Sequence, residues 1–325
     1  MAVMTRRQPR IPLEELCRLP SFFFPQVSWK GDRVAFYWDK SGRIELYVMD
    51  LATKAVRQVS HGEVPRAMRT GFAWSRDDRF IAFGKDAGGN EQHDLYKIEV
   101  ETEKVTQLTN DPAAEEHAVQ FSPNDEWLTV DTNKRLPESP DRPGQLNIWK
   151  IRADGSDYTP LTRYAFPVFG GLWSDDGKWI SYVTNEDMTN LKNRDGYVVD
   201  PDGSGARKIF SIRAGSQDTL GDWHPDGRRI AATSDASGQN RAGIVDIETG
   251  DVRCIRRRGS RSTRSVSRRT ANGWSRSGTK SPRFVRSSMT SRRARRATLC
   301  CRRDSRWAPS SSRTTRSFSS TTRPM

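Results

Sequence analysis

The sequence predicts an all-β protein, a β-propeller of four-stranded blades. Three observations carry that expectation: a motif that recurs at nearly constant spacing, strand-forming residues inside every copy, and no convincing 3.6-residue apolar period in the first 253 residues. In each copy an aromatic residue precedes a polar turn and then an apolar run. The anchors read from the sequence are Trp29, Trp74, Phe121, Trp173 and Trp223, at intervals of 45, 47, 52 and 50 residues. Such intervals fit one four-stranded blade of about 40–50 residues.

Within the first unit, Ser28-Trp29-Lys30-Gly31-Asp32 leads into Val34-Ala35-Phe36, and Leu46-Tyr47-Val48-Met49-Asp50 follows. The second has Trp74-Ser75-Arg76-Asp77-Asp78, then Phe80-Ile81-Ala82-Phe83, then Leu95-Tyr96-Lys97-Ile98-Glu99. Phe121-Ser122-Pro123-Asn124-Asp125, Trp173-Ser174-Asp175-Asp176-Gly177 and Trp223-His224-Pro225-Asp226-Gly227 open the other three. Ser and Asp bond nearby backbone and Gly accepts positive φ, so these are tight turns. The β-branched and aromatic runs behind them, such as Trp179-Ile180-Ser181-Tyr182-Val183, suit strands. Val56–Ser60, Val105–Thr109 and Leu161-Thr162 close three of the units. Only Leu13 to Arg18 suggests a short helix. One aromatic per repeat at a fixed position reads as packing between blades.

Composition divides the chain. The formal net charge is +14, but Cys254–Met325 holds 21 of the 54 basic residues and one of the 40 acids, Asp304. The body is left with 33 basic and 39 acidic residues and is mildly acidic. The organisation expected is therefore a lead-in over 1–19, a propeller over 20–253 with five recognisable blades, and an Arg/Ser-rich, disordered tail over 254–325. An acidic body without a nucleic-acid module argues against specific nucleic-acid binding. No apolar run reaches membrane-spanning length, and Ile11–Leu19 is interrupted by Pro12, Glu14, Glu15 and Arg18. Cys17, Cys254, Cys300 and Cys301 have neither zinc nor disulfide spacing, which fits a cytoplasmic protein without cofactor or metal.

The pattern Trp-Ser-x-Asp-Gly, apolar run, Leu-Tyr-x-x-Asp and Gln-Leu-Thr resembles the WD-repeat-like blades of TolB-type proteins. Together with Ile11–Leu16, the passage Leu19-Pro20-Ser21 to Trp29, and Asp86–Tyr96, it is more similar still to the N-terminal propeller of prolyl oligopeptidase family serine peptidases, nearest the acylaminoacyl-peptidase and dipeptidyl-aminopeptidase-like branch. In that family the propeller caps an α/β-hydrolase domain and restricts entry to short peptides. The resemblance implies a non-catalytic, substrate-gating propeller, with peptides or a peptidase domain as partner. The alternative is a stand-alone TolB-like propeller that binds proteins or peptides. No Gly-x-Ser-x-Gly elbow occurs, so no catalytic residue is assigned, and no enzyme activity is expected of this chain.

The four histidines, His61, His93, His117 and His224, fall inside the repeats, where surface or satisfied core roles are usual. Gly88-Gly89-Asn90-Glu91 reads as a hairpin loop, or else as a loop presenting Glu91 or His93 to the propeller mouth, where a carboxylate could pair with a peptide amine.

The tail has a further reading, a frameshift near Arg253 that truncates the propeller. Read two bases further on, Ser265 to Arg276 can encode Ser-Phe-Ser-Pro-Asp-Gly-Lys-Trp-Leu-Val-Ala, a sixth blade turn about one period after Trp223. Further along, the Met289 and Thr290 codons force an Asp in that frame, at the place Asp246 holds in the fifth unit. A truncated propeller would leave two aromatic-lined blade faces uncovered.

Overall fold

The structure is a computed structural model. It describes residues 19–255 apart from 66–70, 87, 142–143, 186–189 and 191, together with 12, 14 and 15 of the lead-in. The tail from 256 onward lies outside the described residues, as does most of the Leu13–Arg18 segment. Glu14 and Glu15 of the lead-in are helical, and all the other elements among the described residues are strands, arranged in five four-stranded antiparallel sheets. Each sheet is a simple meander in chain order. Blade 1 is β1 (Phe22–Val27), β2 (Arg33–Trp38), β3 (Glu45–Asp50) and β4 (Val56–Gln58). Blade 2 is β5 (Phe72–Trp74), β6 (Phe80–Asp86), β7 (His93–Glu99) and β8 (Val105–Gln107). Blade 3 is β9 (Glu116–Phe121), β10 (Trp127–Thr132), β11 (Asn147–Arg152) and β12 (Thr159–Pro160). Blade 4 is β13 (Val168–Trp173), β14 (Ile180–Thr184), β15 (Asp195–Val199) and β16 (Arg207–Phe210). Blade 5 is β17 (Thr219–Trp223), β18 (Arg229–Ser234), β19 (Arg241–Asp246) and β20 (Val252–Cys254).

The first turn of every blade is built alike. The residue after the first strand donates its N–H to a carbonyl five positions on: Ser28 to Arg33, Ser75 to Phe80, Ser122 to Trp127, Ser174 to Trp179 and His224 to Arg229, all at 2.7–2.9 Å. The four serine hydroxyls accept the return N–H at 2.8–3.2 Å. The third residue after that Ser, or after His224 in the fifth turn, lies in the left-handed region, at φ 80° for Gly31, 61° for Asp78, 59° for Asp125, 71° for Gly177 and 67° for Gly227. Glycine takes that conformation without strain, and Asp is among the few other residues that tolerate it.

The two aspartates do something glycine cannot. The Asp78 carboxylate accepts the Trp29 and Lys30 N–H groups of blade 1, at 2.5 and 2.8 Å. Asp125 likewise accepts the Arg76 and Asp77 N–H groups of blade 2, at 2.6 and 2.9 Å. Hydrogen bonds to a charged acceptor contribute about 1.5–3 kcal/mol each, so these turns latch consecutive blades.

That register corrects the first anchor. Because Ser28 matches Ser75, the counterpart of Trp74, Phe121, Trp173 and Trp223 is Val27, and Trp29 occupies the turn position of Arg76. The interval from Val27 to Trp74 is then 47 residues, not 45. Trp29 is only half-buried, whereas the other four anchors are buried. Its indole donates to the Trp74 carbonyl (3.2 Å) and lies 3.5 Å under the Arg76 guanidinium.

The core is a series of layers between sheets. Ala35, Tyr37, Leu46 and Val48 of blade 1 meet Phe72, Trp74, Ile81 and Phe83 of blade 2. Ala82 and Leu95 on the other face of blade 2 meet Phe121, Leu128 and Val130 of blade 3. Ile148 packs with Trp173, Ile180 and Tyr182, and Val198 and Phe210 pack with Trp223 and Ile230. None of these clusters joins blade 5 to blade 1, so the ring is not closed among the described residues. The outward flank of blade 1 is aromatic as expected: Phe22 stacks on Trp38 at 4.8 Å, beside Phe36 and Tyr47, and is 56% exposed. Blade 5 departs from the expectation. Most of its large apolar side chains turn toward blade 4, and the opposite face presents Ala231, Thr233 and Ile244 instead of aromatics.

Truncation at a buried anchor should cost far more than truncation at Trp29. Trp74→Ala is expected to destabilise by about 3–5 kcal/mol and Trp29→Ala by less than half of that, read as shifts in urea midpoint. Equal shifts would restore Trp29 as an anchor.

Candidate functional site

The two ends of the ring differ. At the end where the first turns lie, the side chains of equivalent turn positions converge. Arg76 of blade 2 bonds Asp175 of blade 4 at 3.0 Å, with side chains 12% and 26% exposed, and stacks on Trp29 of blade 1. This end is tied by packing and charge.

The other end carries the starts of the first strands and the loops between second and third strands. The Asp86–His93 pair closes the hairpin of blade 2, with Gly88, Gly89 and Glu91 all at positive φ, so the hairpin reading of this loop is the one observed. Glu91 is exposed in the loop. His93 is not presented by the loop: it is the first residue of β7, buried, on the face shared with core residue Leu95.

His93 meets two residues of blade 3 instead. Glu115 Oε1 lies 3.1 Å from His117 Nε2 and 3.9 Å from His93 Nδ1, and the two imidazole centroids are 5.6 Å apart. One ligand-capable atom from each of the three residues lies within 4.8 Å of the other two. His93 is 2% exposed. Strand geometry fixes the members: His93 pairs with Asp86, His117 with Asp131, and the Glu115 N–H is held by Asn133 Oδ1 at 2.7 Å.

The surroundings set the charges. Burial pushes the His117 imidazole down from its ordinary value and the nearby His93 adds to this, while Glu115 opposes it. Burial raises the Glu116 carboxyl, although the Thr109 hydroxyl donates to it. Asp131, across the ladder from His117, is pushed up to about 8 by burial, against a single opposing hydrogen bond from the Gly170 backbone.

The expectation that every histidine is exposed or satisfied therefore holds only in part. His61 is exposed and pairs with Glu103 at 3.1 Å, and His224 takes the serine position of the fifth turn. The Nδ1 atoms of His93 and His117 are buried without a hydrogen-bond partner. Sequence reading missed the grouping because its members lie on two blades. The one local hint was Glu115-x-His117 at the start of a strand, where i and i+2 share a side.

No protein-family model matches the chain. The uncharacterized protein Atu1656 of Agrobacterium fabrum is 26% identical over 184 residues, 53% of this chain and 58% of that protein. Among solved structures, a prolyl endopeptidase aligns with TM-score 0.57 and 17% identity, over 76% of this chain and 38% of that one. TolB from Acinetobacter baumannii aligns with TM-score 0.53 and 16% identity, over 71% and 53%. The chain thus spans little more than half the length of Atu1656 and TolB, and less of the peptidase. Its fold is the β-propeller of the TolB and prolyl endopeptidase type. No helix among the described residues is long and apolar enough to cross a membrane.

Asp131 gives a pH signature. Its folded-state value, about 8, exceeds the ordinary 3.8 of the unfolded chain. Its contribution is fully present below about pH 4 and is lost as pH rises toward 8. Asp131→Asn is expected to match the wild type in unfolding free energy near pH 4 and exceed it increasingly up to pH 8.5. A constant difference across that range would contradict a buried, protonated Asp131.

Proposed function

We propose that this chain is a non-catalytic binding propeller of the kind that gates substrate entry in prolyl-oligopeptidase-type peptidases, with a short peptide or a peptidase domain as its partner. The observation that carries this reading is the agreement of two independent likenesses. The motif from Leu19 through Trp29, with Asp86–Tyr96, resembles that family's propeller in sequence. The five sheets align with a prolyl endopeptidase over 76% of this chain. The end of the ring opposite the Arg76–Asp175 pair offers exposed Glu91, a carboxylate that suits a peptide amine. The alignment with TolB favours a second reading, a stand-alone propeller that binds proteins.

The absence of a nucleophile elbow from the sequence supports a chain without peptidase chemistry. The composition change at Cys254, with the blade landmarks in the shifted frame, supports a frameshifted, truncated propeller, and the cysteine spacing supports a cytoplasmic setting. Nucleotide sequence through and beyond codon 325 that encodes a hydrolase domain in another frame would select the gating reading over the stand-alone one.

The purified chain is expected to show no turnover of acyl-peptide or aminoacyl chromogenic substrates. Reproducible turnover blocked by a serine-directed phosphonate would overturn the non-catalytic assignment.

A further inference from the structure

We infer that His93, Glu115 and His117 form a binding site for a zinc-like divalent transition metal, clamping blades 2 and 3 at the open end of the propeller. The donor set comes first. Two imidazoles and one carboxylate suit zinc and neighbouring first-row ions, whereas calcium and magnesium take oxygen ligands. Three protein ligands of this kind leave a position for water or an exogenous oxygen donor.

The geometry is close to that required. Tetrahedral bonds of about 2.1 Å separate neighbouring ligand atoms by about 3.4 Å. The two measured edges, 3.1 and 3.9 Å, fall on either side of that value, and the third lies within 4.8 Å. A hydrogen-bonded histidine–carboxylate pair accounts for the shorter edge alone. It does not account for His93, whose side chain is 3% exposed and whose Nδ1 has no hydrogen-bond partner although it faces Glu115 Oε1. Burying such a group unsatisfied costs about 1–3 kcal/mol. An ion between the three atoms satisfies it and uses the pair already formed.

Support for the ligands is also present. His93 and His117 are held in strands, and the Glu115 backbone is pinned by Asn133. Glu115 and His117 are 29% and 20% exposed, which leaves an approach for the ion and for its remaining ligand.

The test uses the full chain, stripped with a chelator and with its cysteines alkylated so that thiolates take no part. Zinc chloride is titrated calorimetrically and the thermal midpoint is followed in parallel. Wild type is expected to bind one equivalent and to melt at higher temperature when loaded, while magnesium and calcium at the same concentration change nothing. Glu115→Gln, on a partly exposed side chain that should leave folding intact, should weaken zinc at least tenfold. His93→Ala and His117→Ala should abolish the one-equivalent binding, with far-ultraviolet dichroism confirming the fold. Cobalt(II) should give visible d–d bands in wild type that Glu115→Gln diminishes. Folded wild type that binds no zinc, or binding and cobalt spectra unaltered in Glu115→Gln, would overturn the inference.

Discussion

A four-stranded sheet with two apolar faces cannot bury both by itself, and that constraint governs this chain. Each blade is stable only between neighbours, so the protein is built from interfaces more than from sheets. Tyr37 is covered because Phe72 and Trp74 of the next blade lie against it, and Leu95 because Phe121 does. Burial at such positions is worth about 25 cal/mol per Å² of apolar area, and it ends where the neighbours end. Phe22, 56% exposed, marks that limit on the flank of blade 1.

Polar devices reinforce the same interfaces. Asp78 and Asp125 hold the turn of the preceding blade, and Arg76 reaches across the ring to Asp175. The Trp74 and Trp223 indoles donate to Gln26 and Leu172 carbonyls in the first strands of the preceding blades. The His93–Glu115–His117 cluster brings side chains of blades 2 and 3 together at the opposite end.

Much of the fold was legible because the repeat is local. Turn chemistry, apolar runs and spacing all lie within one blade, and the five units were found from them. The misplaced first anchor shows where this stops. Trp29 has the right residue type beside the right turn, and only the Ser28–Arg33 hydrogen bond reveals that Val27 holds the anchor place. The last two outer strands were missed for a related reason. Val252–Cys254 lies at the rim, where a strand needs little apolar signature, and Arg207–Phe210 shows only Ile209 and Phe210 as apolar residues after a polar turn. The candidate site was not legible, because His93 and His117 are 24 residues apart and meet only through the packing of neighbouring blades. Glu91, in contrast, carried a loop signature and stayed in the loop.

The central claim is that stability resides in blade-to-blade contacts and therefore depends on having two neighbours. Amide hydrogen exchange measured by mass spectrometry along the chain tests it most directly. Blades 2 to 4, flanked on both sides, should protect β6, β10 and β14 most strongly, and the equivalent β2 of blade 1 should exchange markedly faster. Protection of β2 equal to that of β10 would show that the flank of blade 1 is covered and would contradict the account.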